Sequence, residues 1–122
     1  MKRLLVLFVP FVLASSLGGV PARSAETATV FKFYCAQCHG LEGKGNGPNV
    51  TKDFPVSPRD FTNSKEMDKL SDADLKNVIL DGGPSVSKSP LMPPWGKTLT
   101  NEEVDGLIKH LRKLCNCKGK QG

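Results

Sequence analysis

Two long stretches of turn-forming residues most constrain what this chain can fold into. Residues 40–58 and 84–97 are rich in Gly, Pro, Asn and Ser, which interrupt helices and strands. Structureless stretches of this length are uncommon in a compact domain unless something orders them. The remaining segments are short and bury little apolar surface by themselves. The pattern therefore predicts long loops that wrap around an inserted apolar group.

Three segments have the spacing of amphipathic helices, and no segment of useful length alternates like a strand. The first is residues 27–38. The second begins after Ser71, which caps it with Asp74 three residues further on, and it ends at the Gly82–Gly83 pair. The third opens with a capping box formed by Thr100 and Glu103. Its apolar stripe is Val104, Leu107, Ile108, Leu111 and Leu114. The sequence predicts an all-α fold of three main helices joined by long loops.

The first residues have the pattern of a secretory signal rather than of the fold. Lys2 and Arg3 precede an apolar run over residues 4–13, and small residues follow it. We therefore expect residues 1–25 to be a signal peptide and residues 26–122 to be the folded domain, exported to the periplasm. An uncleaved anchor is the alternative, although the run is short for a spanning helix of ~20 apolar residues.

Size and charge exclude several classes of protein. A chain of 122 residues cannot hold a large multi-domain enzyme. Loss of the signal would lower the formal net charge from +5 to +2, because that segment has three basic and no acidic residues. No basic stripe of the kind that binds nucleic acid remains.

The segment from Cys35 to His39 has the sequence CAQCH, which is the attachment signature of c-type haem. Two thiols add across the two haem vinyl groups and form thioethers. Two intervening residues let one helical turn present both sulfurs to one porphyrin edge, and His39 then supplies a nitrogen ligand to the iron. The motif predicts haem c, with Cys35 and Cys38 as its covalent anchors.

Three other roles for the cysteines remain open at this point. Cys35 and Cys38 could form a thioredoxin-like redox dithiol or a plain disulfide. All four cysteines, with Cys115 and Cys117, could bind zinc. For Cys115 and Cys117 alone we expect a disulfide, while free thiols and cross-linking of two chains are the alternatives.

Met92 is the candidate for the second axial ligand. It lies in the segment SPLMPPW, whose prolines fix backbone torsions and stiffen the loop. A stiff loop holds a thioether at the iron with little loss of entropy. The alternative is a methionine that only fills the core. We expect Met67, in a charged segment, to be a surface or loop residue.

The motifs together resemble the class I, mono-haem cytochromes c of bacteria with His/Met ligation. The likeness covers residues 27–114 and includes CAQCHG, GNGP, PRDF, LMPPWG and the last helix. It implies that Pro48 supplies a carbonyl to the His39 imidazole. It also implies that Arg59 and Trp95 contact the haem propionates, although Arg59 could instead be a solvated charge.

The same resemblance implies that Phe31 packs against the last helix. The family commonly has an aromatic residue near position 110, where this chain has His110. We expect His110 to be a packed or surface residue, and an iron ligand only as the alternative.

The function expected from these residues is electron transfer without catalysis on a substrate. His39 and Met92 would fill both axial positions of the iron. A haem subunit or sensor with a labile sixth ligand, and a zinc or disulfide module, are the alternatives. The expected partners are a redox donor and acceptor, including a membrane-bound oxidase or dehydrogenase, with no small-molecule substrate. Lysines expected to ring the pocket and steer such partners are Lys44, Lys52, Lys88 and Lys97.

Overall fold

The computed structural model describes residues 22–121, and every regular element in that range is helical. The α-helices are α1 (Ala22–Val30), α2 (Ala36–His39), α3 (Ser64–Met67), α4 (Asp72–Asp81) and α5 (Asn101–Cys115). A π-helical turn, Phe31–Cys35, joins α1 to α2, and a 3-10 turn, Gly83–Val86, follows α4. The all-α expectation is confirmed.

The helix predicted over residues 27–38 is part of a longer helical run. α1, the π turn and α2 follow one another directly from Ala22 to His39. The Ala36 N–H donates to the Phe31 carbonyl, five residues earlier, as in a π-helix. Gly40, with φ of 79°, then ends the run. Most of the predicted signal peptide, residues 1–21, lies outside the described residues, so the division at residue 25 stays a prediction.

The capping boxes of α4 and α5 are present as predicted. The Ser71 hydroxyl accepts from the Asp74 N–H, and the Asp74 carboxylate accepts from the Ser71 N–H at 2.8 Å. Thr100 and Glu103 make the same reciprocal pair, at 3.2 and 2.7 Å. Each box satisfies helix-start N–H groups that the helix itself leaves without acceptors.

The core forms where α5 crosses α1 and α4. α5 buries most of its predicted stripe, but Leu114 is only half-buried. Met67 corrects the expectation of a surface residue, because it is fully buried at the end of α3. That short helix was not predicted, and its Asn63 cap turns the chain so that Met67 points into the core. None of the helices in the described range is long and apolar enough to cross a membrane.

His110 takes the place of the expected aromatic residue on α5. Its ring packs against Phe31, with 4.6 Å between ring centroids. Among the described residues, its Nε2 atom is buried and has no hydrogen-bond partner. Burial, and to a smaller degree the charge of Lys113, lowers the pKa of His110. The neutral imidazole therefore serves as a packing group where the π turn meets α5.

The disulfide expected at the end of α5 is present between Cys115 and Cys117. Asn116, between them, has a left-handed φ of 47° and ends the helix. The tail beyond it returns to the corner between α3 and α4, where the Lys120 N–H donates to the Leu70 carbonyl at 3.1 Å.

The half-buried imidazole of His110, whose Nε2 atom is inaccessible to solvent, predicts a stability loss in mild acid. Its pKa is lower in the folded chain, so the unfolded chain binds the proton first as the pH falls below about 6.5. The stabilisation is therefore complete above pH 6.5 and declines below it. We expect His110→Phe to lose less stability than the wild type between pH 7.5 and pH 5.5, as measured by chemical unfolding. An equal loss in both proteins would contradict this.

Candidate functional site

One cavity of about 760 Å³ gathers nearly all the residues singled out from the sequence. It lies between the α2 region, α4 and the loops, and its size suits a bound cofactor. The predicted site residues that line it are Cys35, Cys38, His39, Arg59, Met92 and Trp95. Pro48 is exposed and is not among the lining residues.

Cys35 and Cys38 stand one helical turn apart on the wall of this cavity. Both are free thiols and half-buried. Burial raises the pKa of the Cys35 thiol to about 12. A redox dithiol reacts as thiolate, so this environment argues against the thioredoxin-like alternative. The spacing instead presents two sulfurs to one edge of a bound group.

The zinc and disulfide alternatives for the CAQCH segment are not supported. Cys115 and Cys117 are bonded to each other, while Cys35 and Cys38 are not. Within the described range, no three His, Cys, Asp or Glu side chains converge as metal ligands.

The His39 ring is held by one hydrogen bond and one stacked aromatic ring. Nδ1 lies 3.0 Å from the Arg59 carbonyl oxygen, and Phe61 stacks on the ring at 4.3 Å between centroids. Burial lowers the His39 pKa, and the bond to Arg59 partly offsets that effect. With Nδ1 as the donor to this carbonyl, Nε2 keeps its lone pair free for a metal.

The carbonyl that binds His39 differs from the one expected. The resemblance implied Pro48, whereas the structure places Arg59 there. The N–H groups of Gly45 and Gly47 donate to the carbonyls of His39 and Cys38, which folds the loop back over α2 and carries Pro48 outward. The next loop places the Arg59 carbonyl beside Nδ1 of His39, which donates to it instead.

Met92 lies in a strap, residues 88–96, that is hydrogen-bonded to the end of α4 and to the 3-10 turn after it. The Gly83 N–H donates to the Met92 carbonyl at 2.9 Å. At the other end of the strap, the N–H groups of Trp95 and Gly96 donate to the carbonyls of Ile79 and Leu80, both at 3.0 Å. These bonds hold the Met92 side chain, half-buried, at the wall of the cavity.

Gly82 and Gly83 have a second role that the sequence did not reveal. They end α4 as predicted, but they also form the surface on which the strap lies. A Cβ atom on Gly82 would come within 2.9 Å of the Met92 carbonyl oxygen, and one on Gly83 would overlap the Ser89 carbonyl oxygen. Only a hydrogen side chain leaves room for this approach.

Trp95 reaches the cavity beside a residue that sequence reasoning missed. Its ring lies 5.1 Å from that of Tyr34, which directly precedes Cys35. The pair links the strap to the helix that carries the cysteines. Phe61 was also missed. Its only signal in the sequence was its place in the motif PRDF, which gave no reason to expect contact with His39.

The cavity has fewer lysines at its wall than the four that were expected. Of the four, only Lys88 lines the cavity. Lys44 pairs with Glu42 at 2.6 Å, while Lys52 and Lys97 are exposed elsewhere. The Arg59 side chain is half-buried at the cavity and, in the described part of the chain, has no hydrogen-bond or ion-pair partner.

These residues fit a covalently attached haem. The cavity offers two free thiols one turn apart, a ring nitrogen with its lone pair free, and a thioether. Its wall includes the apolar side chains of Leu75, Val78, Ile79 and Leu111. The Arg59 guanidinium, which has no hydrogen-bond or ion-pair partner in the described range, is available to a haem carboxylate.

Comparisons with known proteins agree with a c-type haem as the bound group. Residues 22–111 match the family described as cytochrome c oxidase, cbb3-type, subunit III. Cytochrome c-553 of Helicobacter pylori is 24% identical over 102 residues, which are 81% of this chain and 93% of that protein.

Two solved structures share the fold. The KustC0563 c-type cytochrome is 26% identical, with a TM-score of 0.57, over 72% of this chain and 95% of that one. A chain of the Kuenenia stuttgartiensis reducing HAO-like protein complex Kustc0457/Kustc0458 is 32% identical, with a TM-score of 0.58, over 73% of this chain and 41% of that one. The cofactor is therefore haem c, bound covalently.

The tight contact between Gly83 and the strap predicts that Gly83→Ala destabilises the protein. The added methyl group must displace the Ser89 carbonyl, and overpacking of this kind costs about 1–3 kcal/mol. Gly96→Ala is the matched control, since its Cβ would meet the Leu80 carbonyl oxygen at 3.0 Å. We expect a clearly smaller loss there in chemical unfolding. Equal losses would contradict a special cost for the close approach of the strap at Gly83.

Proposed function

We propose that this chain, which belongs to the cytochrome c oxidase, cbb3-type, subunit III family of c-type cytochromes, is a periplasmic single-electron carrier with His39 and Met92 as axial ligands. The observation that carries the proposal is the meeting of the CAQCH segment and Met92 at one cavity. Each lies in an element whose backbone is held by hydrogen bonds to its neighbours.

The chemistry that the haem supplies is one-electron exchange between Fe(II) and Fe(III). Cys35 and Cys38 fix its position through thioether bonds. The Arg59 carbonyl and Phe61 orient the His39 ring and leave Nε2 as the nitrogen that would bind the iron. The strap presents the Met92 sulfur without a large entropic cost. The surrounding apolar side chains exclude water and favour the less charged, reduced state.

Ligation by His39 and Met92 favours a carrier over an enzyme or sensor. If His39 and Met92 both bind the iron, a small molecule would reach it only after displacing Met92. The strap opposes that displacement, since its ends are bonded to α4 and the 3-10 turn. A visible spectrum before and after addition of carbon monoxide tests this directly. Immediate binding by the ferrous protein would instead support the labile-ligand alternative.

A role within a larger assembly is the second candidate. It is supported by the likeness to one chain of the reducing HAO-like complex, and the match covers 41% of that chain. Either role needs a redox donor and acceptor. A membrane-bound oxidase suits the family description, and a membrane-bound dehydrogenase is the other expected partner. Co-purification of the tagged full-length protein from its source organism would separate a free carrier from a bound subunit.

Export to the periplasm is supported by two features. The basic and apolar pattern at the N-terminus is that of a secretory signal. The Cys115–Cys117 disulfide is the kind of bond that persists in an oxidising compartment. Cell fractionation tests the location, and N-terminal sequencing of the purified protein tests cleavage near residue 25.

Contact with partners depends on fewer charges than the sequence suggested. Lys88 is the one lysine of the expected ring that reaches the cavity. Exposed apolar side chains share its rim, namely Phe33, Tyr34, Val56 and Leu91. We therefore expect a small docking face with weak electrostatic steering.

Replacement of the thioether tests Met92 as a ligand. We expect Met92→His to lower the midpoint potential on the order of 0.1 V, within the roughly 0.8 V range that axial ligands span. Imidazole favours the oxidised iron more than a thioether does. Redox titration followed by visible absorption measures the change. Met67→Leu is the control, because Met67 is fully buried outside the cavity lining and should leave the potential unchanged. An unaltered potential in Met92→His would refute the assignment.

Removal of the Arg59 guanidinium tests its place beside the haem carboxylates. Loss of a nearby positive charge favours the oxidised iron, so we expect Arg59→Gln to lower the midpoint potential by a smaller amount than Met92→His does. The variant keeps the backbone carbonyl that binds His39. Lys97→Gln removes an exposed charge outside the cavity and is the matched control. Equal potentials in both variants would show that Arg59 is only a solvated charge.

A further inference from the structure

The two sulfurs of the Cys115–Cys117 disulfide lie in different surroundings. Cys115 is only 4% exposed and stands at the end of α5, whereas Cys117 is half-buried and more accessible. A thiol in solution therefore meets the Cys117 sulfur first. Attack at that sulfur leaves Cys115 as the departing group.

Arg112 distinguishes the two cysteines further. Its guanidinium Nη1 atom lies 3.7 Å from the Cys117 sulfur. A guanidinium beside a sulfur stabilises the thiolate, while burial at a helix C-terminus disfavours it. After reduction, Cys117 is therefore expected to be the more reactive thiol and Cys115 the less reactive one.

The same guanidinium fastens α5 to the corner between α3 and α4. It donates to the carbonyls of Met67 at 2.9 Å and Leu70 at 2.7 Å, and to the Asp72 carboxylate at 2.8 Å. The side chain of Leu70 lines the haem cavity. One side chain thus contacts both the disulfide and a segment of the cavity wall.

The tail that follows the disulfide contacts this corner as well. The Gly119 N–H donates to the Asp68 carboxylate at 3.0 Å, and the Lys120 N–H donates to the Leu70 carbonyl at 3.1 Å. The disulfide closes the turn at Asn116 that directs the tail back to the corner. Opening the ring removes a covalent constraint from these contacts.

We infer that the Cys115–Cys117 disulfide is a second redox site, which dithiol reductants open. Its oxidation state controls how easily residues 67–72 unfold locally. A thiolate of the dithiol attacks the Cys117 sulfur. The Cys115–Cys117 bond breaks, a mixed disulfide forms on Cys117, and Cys115 leaves with the electron pair and takes a proton from water. The second thiolate of the dithiol then closes on its own partner sulfur and releases the Cys117 thiolate. Two electrons pass to the protein and the reductant becomes a cyclic disulfide.

Hydrogen exchange of the full haem-loaded chain tests the inference. The ferrous protein is held anaerobically with and without dithiothreitol, so the iron stays reduced in both samples. We expect amides of residues 67–72 to exchange roughly tenfold faster after reduction, because local opening becomes easier. A short pulse of iodoacetamide, followed by peptide mass analysis, should label Cys117 faster than Cys115.

The double variant Cys115→Ser/Cys117→Ser supplies the control. It should show fast exchange over residues 67–72 in the absence of reductant, and dithiothreitol should cause no further change. If the variant does not fold, the reduced wild type still gives the decisive measurement. Unchanged exchange over residues 67–72 after complete reduction, or faster labelling of Cys115, would overturn the inference. The readout uses backbone amides and thiols, so it is independent of the axial ligands of the iron.

Discussion

The structure depends on a constraint of volume, because the helices enclose a space that their own side chains do not fill. About 760 Å³ lies within a fold of short helices and long loops. Covalent haem supplies the missing apolar surface and gives the loops something to pack against. Residues 40–63 and 82–100 stay close to the core because hydrogen bonds and side chains on the cavity wall hold them there.

Local features of the fold were predictable, and contacts between distant segments were not. The capping boxes at Ser71 and Thr100 depend on residues three apart, so the sequence displays them directly. The burial of Met67 depends on a four-residue helix set by Asn63, which has too short a pattern to recognise. Motif chemistry identified the cavity residues for the same reason as the caps, since CAQCH carries its spacing within one turn.

The hydrogen-bond partner of His39 shows why contacts between distant loops could not be predicted from the sequence. Pro48 and Arg59 both lie in loops, and each has a carbonyl that could accept from the ring. The choice between them depends on how Gly45 and Gly47 fold the first loop against α2, which no periodicity encodes. The second role of Gly83 could not be predicted for the same reason. A glycine that ends a helix and a glycine that makes room for a distant strap look the same in the sequence. In contrast, the pairing of Phe31 with position 110 survived an exchange of ring type, since imidazole is flat enough to replace a phenyl group.

The π turn at Phe31–Cys35 has a consequence for the phase of the helix around its axis. A regular α-helix advances about 100° per residue, and the wider turn takes up an extra residue without ending the run. The face of α1 that meets α5 and the face of α2 that carries Cys38 and His39 are thereby set at an angle that an unbroken α-helix does not provide. Deleting one residue here would rotate the two faces relative to each other. The packing of α1 against α5 and the placement of the Cys38 sulfur could then not both be kept. Insertions and deletions in this turn should therefore be far less tolerated than substitutions.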